Sequence, residues 1–182
     1  MNMRLFLSFF LLPLSLSAQS GAERLTPLER SLEQRGLIDV RAAVPGVYVS
    51  LMYARPDNFV GRVLYTDLHH AYLLPETARA LRKAQNALQQ KHPDYALKVY
   101  DATRPMRIQQ RMWNVVAHTS KNIYVSNPAH GGGLHNYGLA VDLTLCDTLG
   151  HALPMGTPFD HFGPTANTDR EPSLVRTGRI TQ

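Results

Sequence analysis

An imidazole and a carboxylate seven positions apart, His135 and Asp142, flank a glycine in the stretch Gly131-Gly132-Gly133-Leu134-His135-Asn136-Tyr137-Gly138-Leu139-Ala140-Val141-Asp142. Fully extended, seven residues would span roughly 23–25 Å. Two ligands of one metal ion must bring their donor atoms within about 4 Å of each other, since each sits about 2 Å from the metal. A bend at Asn136-Tyr137-Gly138, together with the reach of both side chains, can close that gap. On spacing alone the pair has two readings, a metal site or the commoner hydrogen-bonded structural pair.

Other residues offer less by themselves. Arg104 follows an apolar run and precedes Pro105, a placement that can fix its direction, although a strand-end arginine on the surface has the same pattern. Cys146 is the only cysteine, which excludes an internal disulfide, and its place at the end of an apolar strand predicts a small buried side chain. The eight histidines are too dispersed to form a metal-binding tract. The formal charge of +5 comes from scattered Lys and Arg, a solvated surface and not a nucleic-acid footprint.

These residues need elements to hold them. From Leu139 the chain alternates, with Leu139, Val141, Leu143 and Leu145 on one face and Ala140, Asp142 and Thr144 on the other, more polar one. That predicts a half-buried strand carrying the acid, entered through a loop rich in glycine. Thr26-Pro27-Leu28-Glu29 predicts a capped helix start, with the helix stopping at Gly36. Strands are expected over Tyr48–Tyr53 and Ala96–Asp101, and long helices from Pro75 to near Lys91 and from Pro105 with Ile108, Met112, Val115 and Val116 as its apolar face. Thr66–Leu74 and Pro154–Pro172 read as irregular. This mixture predicts an α+β domain built on a mostly antiparallel sheet packed with helices.

Upstream, Met1-Asn2-Met3-Arg4 is followed by an apolar run from Leu5 to Leu16 and by Ser17-Ala18-Gln19-Ser20. This reads as a signal peptide over residues 1–20, leaving a single exported domain over 21–182, periplasmic or secreted. The run is too short to span a bilayer, so no stable membrane anchor is expected.

The chain resembles the D-alanyl-D-alanine dipeptidases, a branch of the zinc peptidases that share a His-x6-Asp motif. The pattern H-x-x-G-x-A-x-D is met by His135, Gly138, Ala140 and Asp142. Tyr53-Ala54-Arg55-Pro56-Asp57-Asn58-Phe59-Val60-Gly61, Tyr100-Asp101-Ala102-Thr103-Arg104-Pro105 and Met155-Gly156-Thr157-Pro158-Phe159-Asp160 fall in the family's order, so the match runs from about Pro45 onward. The resemblance implies the family's zinc-peptidase fold and zinc held by His135 and Asp142. It implies an oxyanion-stabilising role for Arg104, and a substrate pocket in which Asp160 holds the free ammonium of D-Ala-D-Ala and Tyr53 is a pocket tyrosine. Gly133 departs from the pattern, since many relatives carry Ser there.

In the family a Glu-x-x-His segment supplies the third ligand and the general base, and residues 143–182 contain no such segment. The expectation is therefore a fold lacking its C-terminal part, with weakened zinc and little or no hydrolysis by the 182-residue chain. His118, His130, His151 and His161 are nominal stand-ins for the missing ligand. Two alternatives stand beside the dipeptidase: a carboxypeptidase acting on peptidoglycan stem peptides, and a non-catalytic remnant that binds D-Ala peptides weakly.

Overall fold

A computed structural model describes residues 24–181; the signal peptide predicted over residues 1–20 lies outside them. Helix α1, Pro27–Gln34, begins as the sequence dictates: the Thr26 hydroxyl accepts from the Glu29 N–H, while the Glu29 carboxylate accepts from the Thr26 N–H. The chain leaves it through Gly36 at φ 84°. Strand β1, Ile38–Asp39, runs into the short helix α2, Val40–Ala43, and later pairs antiparallel with β3, Tyr72–Leu73.

The second sheet positions the chemistry. Its order is β2 (Tyr48–Val49), β4 (Tyr95–Asp101), β5 (Asp142–Asp147), with β2 parallel and β5 antiparallel to the central β4. Helix α3, Pro75–Lys91, packs on β4. Buried Gln85 fastens the two: its carbonyl accepts from the Leu97 N–H and its amide donates to the Gly46 carbonyl. Helix α4, Met106–Val116, buries Ile108, Met112 and Val116 in a core shared with Leu64, Leu68, Tyr72 and Val99. Two antiparallel pairings and one parallel one, packed with helices, give the mixed α+β architecture expected.

Several local expectations differ from the structure. Only Tyr48–Val49 of the Tyr48–Tyr53 stretch is a strand; Met52–Ala54 turns as a 3-10 helix, and Tyr53 sits on that turn. Tyr72–Leu73, read as irregular, is β3, because its partner Ile38–Asp39 is remote in sequence. Val115 is exposed. After irregular chain and two 3-10 turns, Glu171–Arg176 forms a short helix, α5.

The faces of β5 also divide differently. Leu143 and Leu145 lie across from Val99 and Leu97, toward the core, and Val141 and Leu145 pack against it. Leu143 nevertheless remains 42% exposed because β5 is the edge of its sheet, whereas Thr144, expected on the polar face, is buried; Cys146 is buried as expected. Cys146 donates to the Ala96 carbonyl. Among the described residues, no helix is long and apolar enough to cross a membrane.

Candidate active site

The end of β4 is where the functional groups converge. The ladder between β4 and β5 slips between Val99 and Asp101, and beyond this irregularity Asp101 faces Asp142. Such slips re-aim side chains at the rim of a sheet. The chain then continues through Ala102-Thr103-Arg104, whose backbone joins three segments. Thr103 donates to the Tyr72 carbonyl of β3, Arg104 donates its N–H to the His135 carbonyl, and the Ala102 carbonyl lies 2.8 Å from His135 Nδ1.

The loop before β5 is shaped to deliver His135. Leu134–Tyr137 forms a 3-10 turn closed by Gly138 at φ 71°. A Cβ at Gly138 would meet Leu37, the Leu74 nitrogen and Thr103 Oγ1, each at 3.1 Å, so both conformation and space demand glycine. Asn136 braces the turn, accepting from the Gly133 N–H and donating to the Arg104 carbonyl. At Gly133 a Cβ would fall 2.6 Å from Ser126 Oγ; the hydroxyl of Ser126 occupies the space a serine side chain at 133 would need.

With Nδ1 donating to the Ala102 carbonyl, the Nε2 lone pair of His135 is the one available, and it lies 3.3 Å from Asp142 Oδ1. A tetrahedral ion with bonds of about 2 Å sets its ligand atoms about 3.3 Å apart. A second-contact carbonyl that fixes the tautomer is the usual support of a metal-binding imidazole. Donor types, tautomer and spacing therefore fit a metal ion. Without one, Asp142 favours the protonated imidazole of His135. Burial works against both charges, but the hydrogen bond and opposite charge prevail, raising His135 above its ordinary value and lowering Asp142, the latter aided by Arg104.

Asp101, His135 and Asp142 are close enough together to hold one ion, yet Asp101 is already committed. Its Oδ1 accepts from the Tyr65 hydroxyl at 2.6 Å, and its Oδ2 accepts from Arg104 Nε at 2.9 Å and Nη2 at 2.6 Å. Three of its roughly four acceptor sites are thus occupied by Tyr65 and Arg104. We read Asp101 as the partner of Arg104, and His135 with Asp142 as the ligand pair.

Arg104 is 9% exposed. Burial opposes its charge, but Asp101 outweighs burial and holds the guanidinium protonated. Of its five N–H donors, two go to Asp101 and one, from Nη1, goes to Gln109 Oε1 at 3.0 Å. The other two make no hydrogen bond among the described residues; the side chain lines the cleft, with Nη2 3.6 Å from Asp142 Oδ2 and the guanidinium carbon 5.2 Å from the centre of the Tyr53 ring.

The cleft itself is about 870 Å³, lined by Tyr53, Arg104, His135, Asp142 and Asp160 among others. All five residues expected from the sequence thus line one cavity. Asp160 accepts from the Tyr53 hydroxyl at 3.0 Å and from the Phe59 N–H at 3.2 Å. It is the non-glycine residue with positive φ, 59°, among those described, a conformation Asp tolerates better than most. Burial raises the pKa of its carboxyl in spite of those two donors, and burial also holds the Tyr53 hydroxyl protonated. An aromatic wall, with Tyr53 edge-on to Phe59 and Phe159 and with Phe162 packed against Phe59 and Tyr124, backs the acid.

The stand-in histidines do not join the ligand pair. His161 borders the cleft but its Nε2 lies 2.7 Å from Thr165 Oγ1; His151 pairs with Asp147; His118 and His130 are exposed. Sequence reasoning overlooked Asp101, Tyr65 and Gln109. Two of them left a signal. Asp101 stands three residues before Arg104, and Gln109 is a polar residue in line with Met112 and Val116 on an otherwise apolar helix face.

A family profile described as D-ala-D-ala dipeptidase matches residues 33–171. The D-alanyl-D-alanine dipeptidase of Escherichia coli (strain K12) is 32% identical over 130 residues, which cover 69% of this chain and 62% of the relative. The chain thus spans less than two thirds of that relative's length. With the profile covering most of its residues, the chain belongs to the D-ala-D-ala dipeptidase family of peptidases.

Proposed function

We propose that the cleft is built for zinc-dependent hydrolysis of D-Ala-D-Ala, the substrate in the E. coli relative's name. The observation that carries this reading is the 3.3 Å approach of His135 Nε2 to Asp142 Oδ1, with Nδ1 tied to a backbone carbonyl. Zinc held by that pair would supply Lewis-acid chemistry and lower the pKa of a water at neutral pH.

The protein's own groups divide the remaining work. Asp160, supported by Tyr53 and the Phe59 N–H, receives the free ammonium of the dipeptide, whose charge favours the ionised carboxylate that burial opposes. An acid in that position anchors a free amino terminus, and the aromatic wall behind it disfavours longer chains; both favour a dipeptidase over a stem-peptide carboxypeptidase. Arg104 directs its two uncommitted N–H groups at the carbonyl oxygen as negative charge builds there. The base that takes a proton from water is assigned, through the resemblance, to the Glu of a Glu-x-x-His segment, which residues 24–181 do not contain. An exported location would place the enzyme beside cell-wall peptides.

The test is release of D-alanine from D-Ala-D-Ala with zinc added, for the 182-residue chain and for the same chain joined to a family Glu-x-x-His segment. Turnover by the joined chain, with rejection of the N-acetylated dipeptide and little or no turnover by residues 1–182 alone, is expected. Failure of the joined chain to release D-alanine would overturn the reading. Binding without turnover would favour the weak binder. Equal turnover by both would place a base among the residues described above.

A further inference from the structure

Gln109 is buried to 1% exposure on the apolar face of α4, where Ile108, Met112 and Val116 do the packing. A buried carboxamide costs stability unless both its ends are bonded, and here both are. Oε1 accepts from Arg104 Nη1 at 3.0 Å, and Nε2 donates to the Ser126 carbonyl at 2.7 Å. The two partners fix the orientation of the amide, since a guanidinium can only donate and a carbonyl can only accept.

The need for such a contact follows from how Asp101 holds Arg104. Nε and Nη2 both reach the same oxygen, Oδ2, because Oδ1 is taken by the Tyr65 hydroxyl. A guanidinium gripped at one oxygen atom lacks the two-point geometry of a bidentate pair and can pivot about it. The pivot has an attractive wrong destination: Asp142 Oδ2 lies only 3.6 Å from Nη2. An arginine drawn onto Asp142 would compete for a ligand carboxylate and turn its uncommitted donors away from the cleft.

We propose that Gln109 is a positioning residue for Arg104. By accepting from Nη1 it supplies the second fixed point that stops the pivot. Its other end ties Arg104 to the 126 backbone, which borders the same cleft and leads into the glycine loop before His135. The kinetic consequence rests on the function proposed above, but the geometric one does not.

The experiment has two arms. In the 182-residue chain, nitrogen-resolved NMR of the arginine side chains should show separate, slowly exchanging Nη signals for Arg104. Gln109→Met, close in volume but with no acceptor for Nη1, should merge or broaden them through rotation. Gln109→Glu, which keeps an acceptor for Nη1 and loses the donor to Ser126, should leave them resolved. In the chain joined to a Glu-x-x-His segment, Gln109→Met should lower kcat roughly 10–100-fold, the scale of a misplaced group. KM and bound zinc should change little, and no further loss should appear in an Arg104→Ala background. Resolved Arg104 signals in Gln109→Met, signals lost in Gln109→Glu, or effects that simply add to Arg104→Ala would each overturn the proposal. If the joined chain has no turnover, the function falls while the NMR arm still decides what Gln109 does.

Discussion

Arg104 illustrates how much of this site is decided atom by atom. Three of its donors are consumed inside the protein and two are left without a hydrogen bond on a side chain that lines the cleft, its guanidinium held protonated by Asp101 in spite of burial. A donor placed before the reaction begins needs no reorganisation as charge develops, and losing one of this kind typically costs about 10²–10³-fold in turnover. Arg104→Ala, in the chain joined to a Glu-x-x-His segment, should fall by about that factor in kcat while retaining zinc, as measured by steady-state kinetics and metal analysis. An unchanged kcat would return Arg104 to a purely structural part in the Asp101 network. Asp160 is the residue-scale counterpart for binding. A hydrogen bond to a charged group contributes about 1.5–3 kcal/mol, so Asp160→Asn should raise KM for D-Ala-D-Ala roughly tenfold to a hundredfold, with a smaller change in kcat.

Among the elements, α1 is tied to the body of the domain by a buried carboxylate, besides the packing of Leu32 and the bonds of Thr26 and Glu33. Glu29, with no exposed surface, accepts from the backbone N–H groups of Thr26, His69 and His70, and its Oε1 lies 2.9 Å from His70 Nδ1. Burial alone would raise its pKa, but these donors prevail and lower it from 4.5 to about 2. Because the folded value lies below the unfolded one, the unfolded chain takes up the proton first on acidification. The stabilisation is complete above about pH 4.5 and is lost as pH falls toward 2, and 1.36 kcal/mol per pH unit makes it about 3 kcal/mol. Glu29→Gln should lose most of this at pH 7 and flatten the acid limb; denaturation curves at pH 7 and pH 3 measure both, and parallel pH slopes in the two proteins would contradict the assignment. The same helix shows what was legible in the sequence. Its capping box, the Pro75 helix and, Val115 apart, the apolar period of α4 are local signals, and the structure has all three. The pairing of β1 with β3, the slip at the end of β4 and the burial of Thr144 depend on partners distant in sequence, which no local pattern encodes. For the same reason the five residues that the motif and the family resemblance single out could be named before the fold was known, whereas Asp101, Tyr65 and Gln109, which hold Arg104, emerged only with it.

At the scale of the molecule, a small sheet and the loops around its edge bring side chains from positions 53, 104, 135, 142 and 160 to one cleft of about 870 Å³. The aromatic wall and Asp160 close one side, the buried Tyr65–Asp101–Arg104–Gln109 network closes another, and the His135–Asp142 pair lies in the same cavity. Everything proposed about chemistry depends on that pair holding a metal. The most direct measurement is zinc content after equilibration and gel filtration, in the chain joined to a Glu-x-x-His segment and in its His135→Ala and Asp142→Ala variants, with circular dichroism to show that each is folded. One zinc per chain, lost in both variants, is the predicted result; full zinc occupancy in either folded variant would remove that residue from the site and contradict the account.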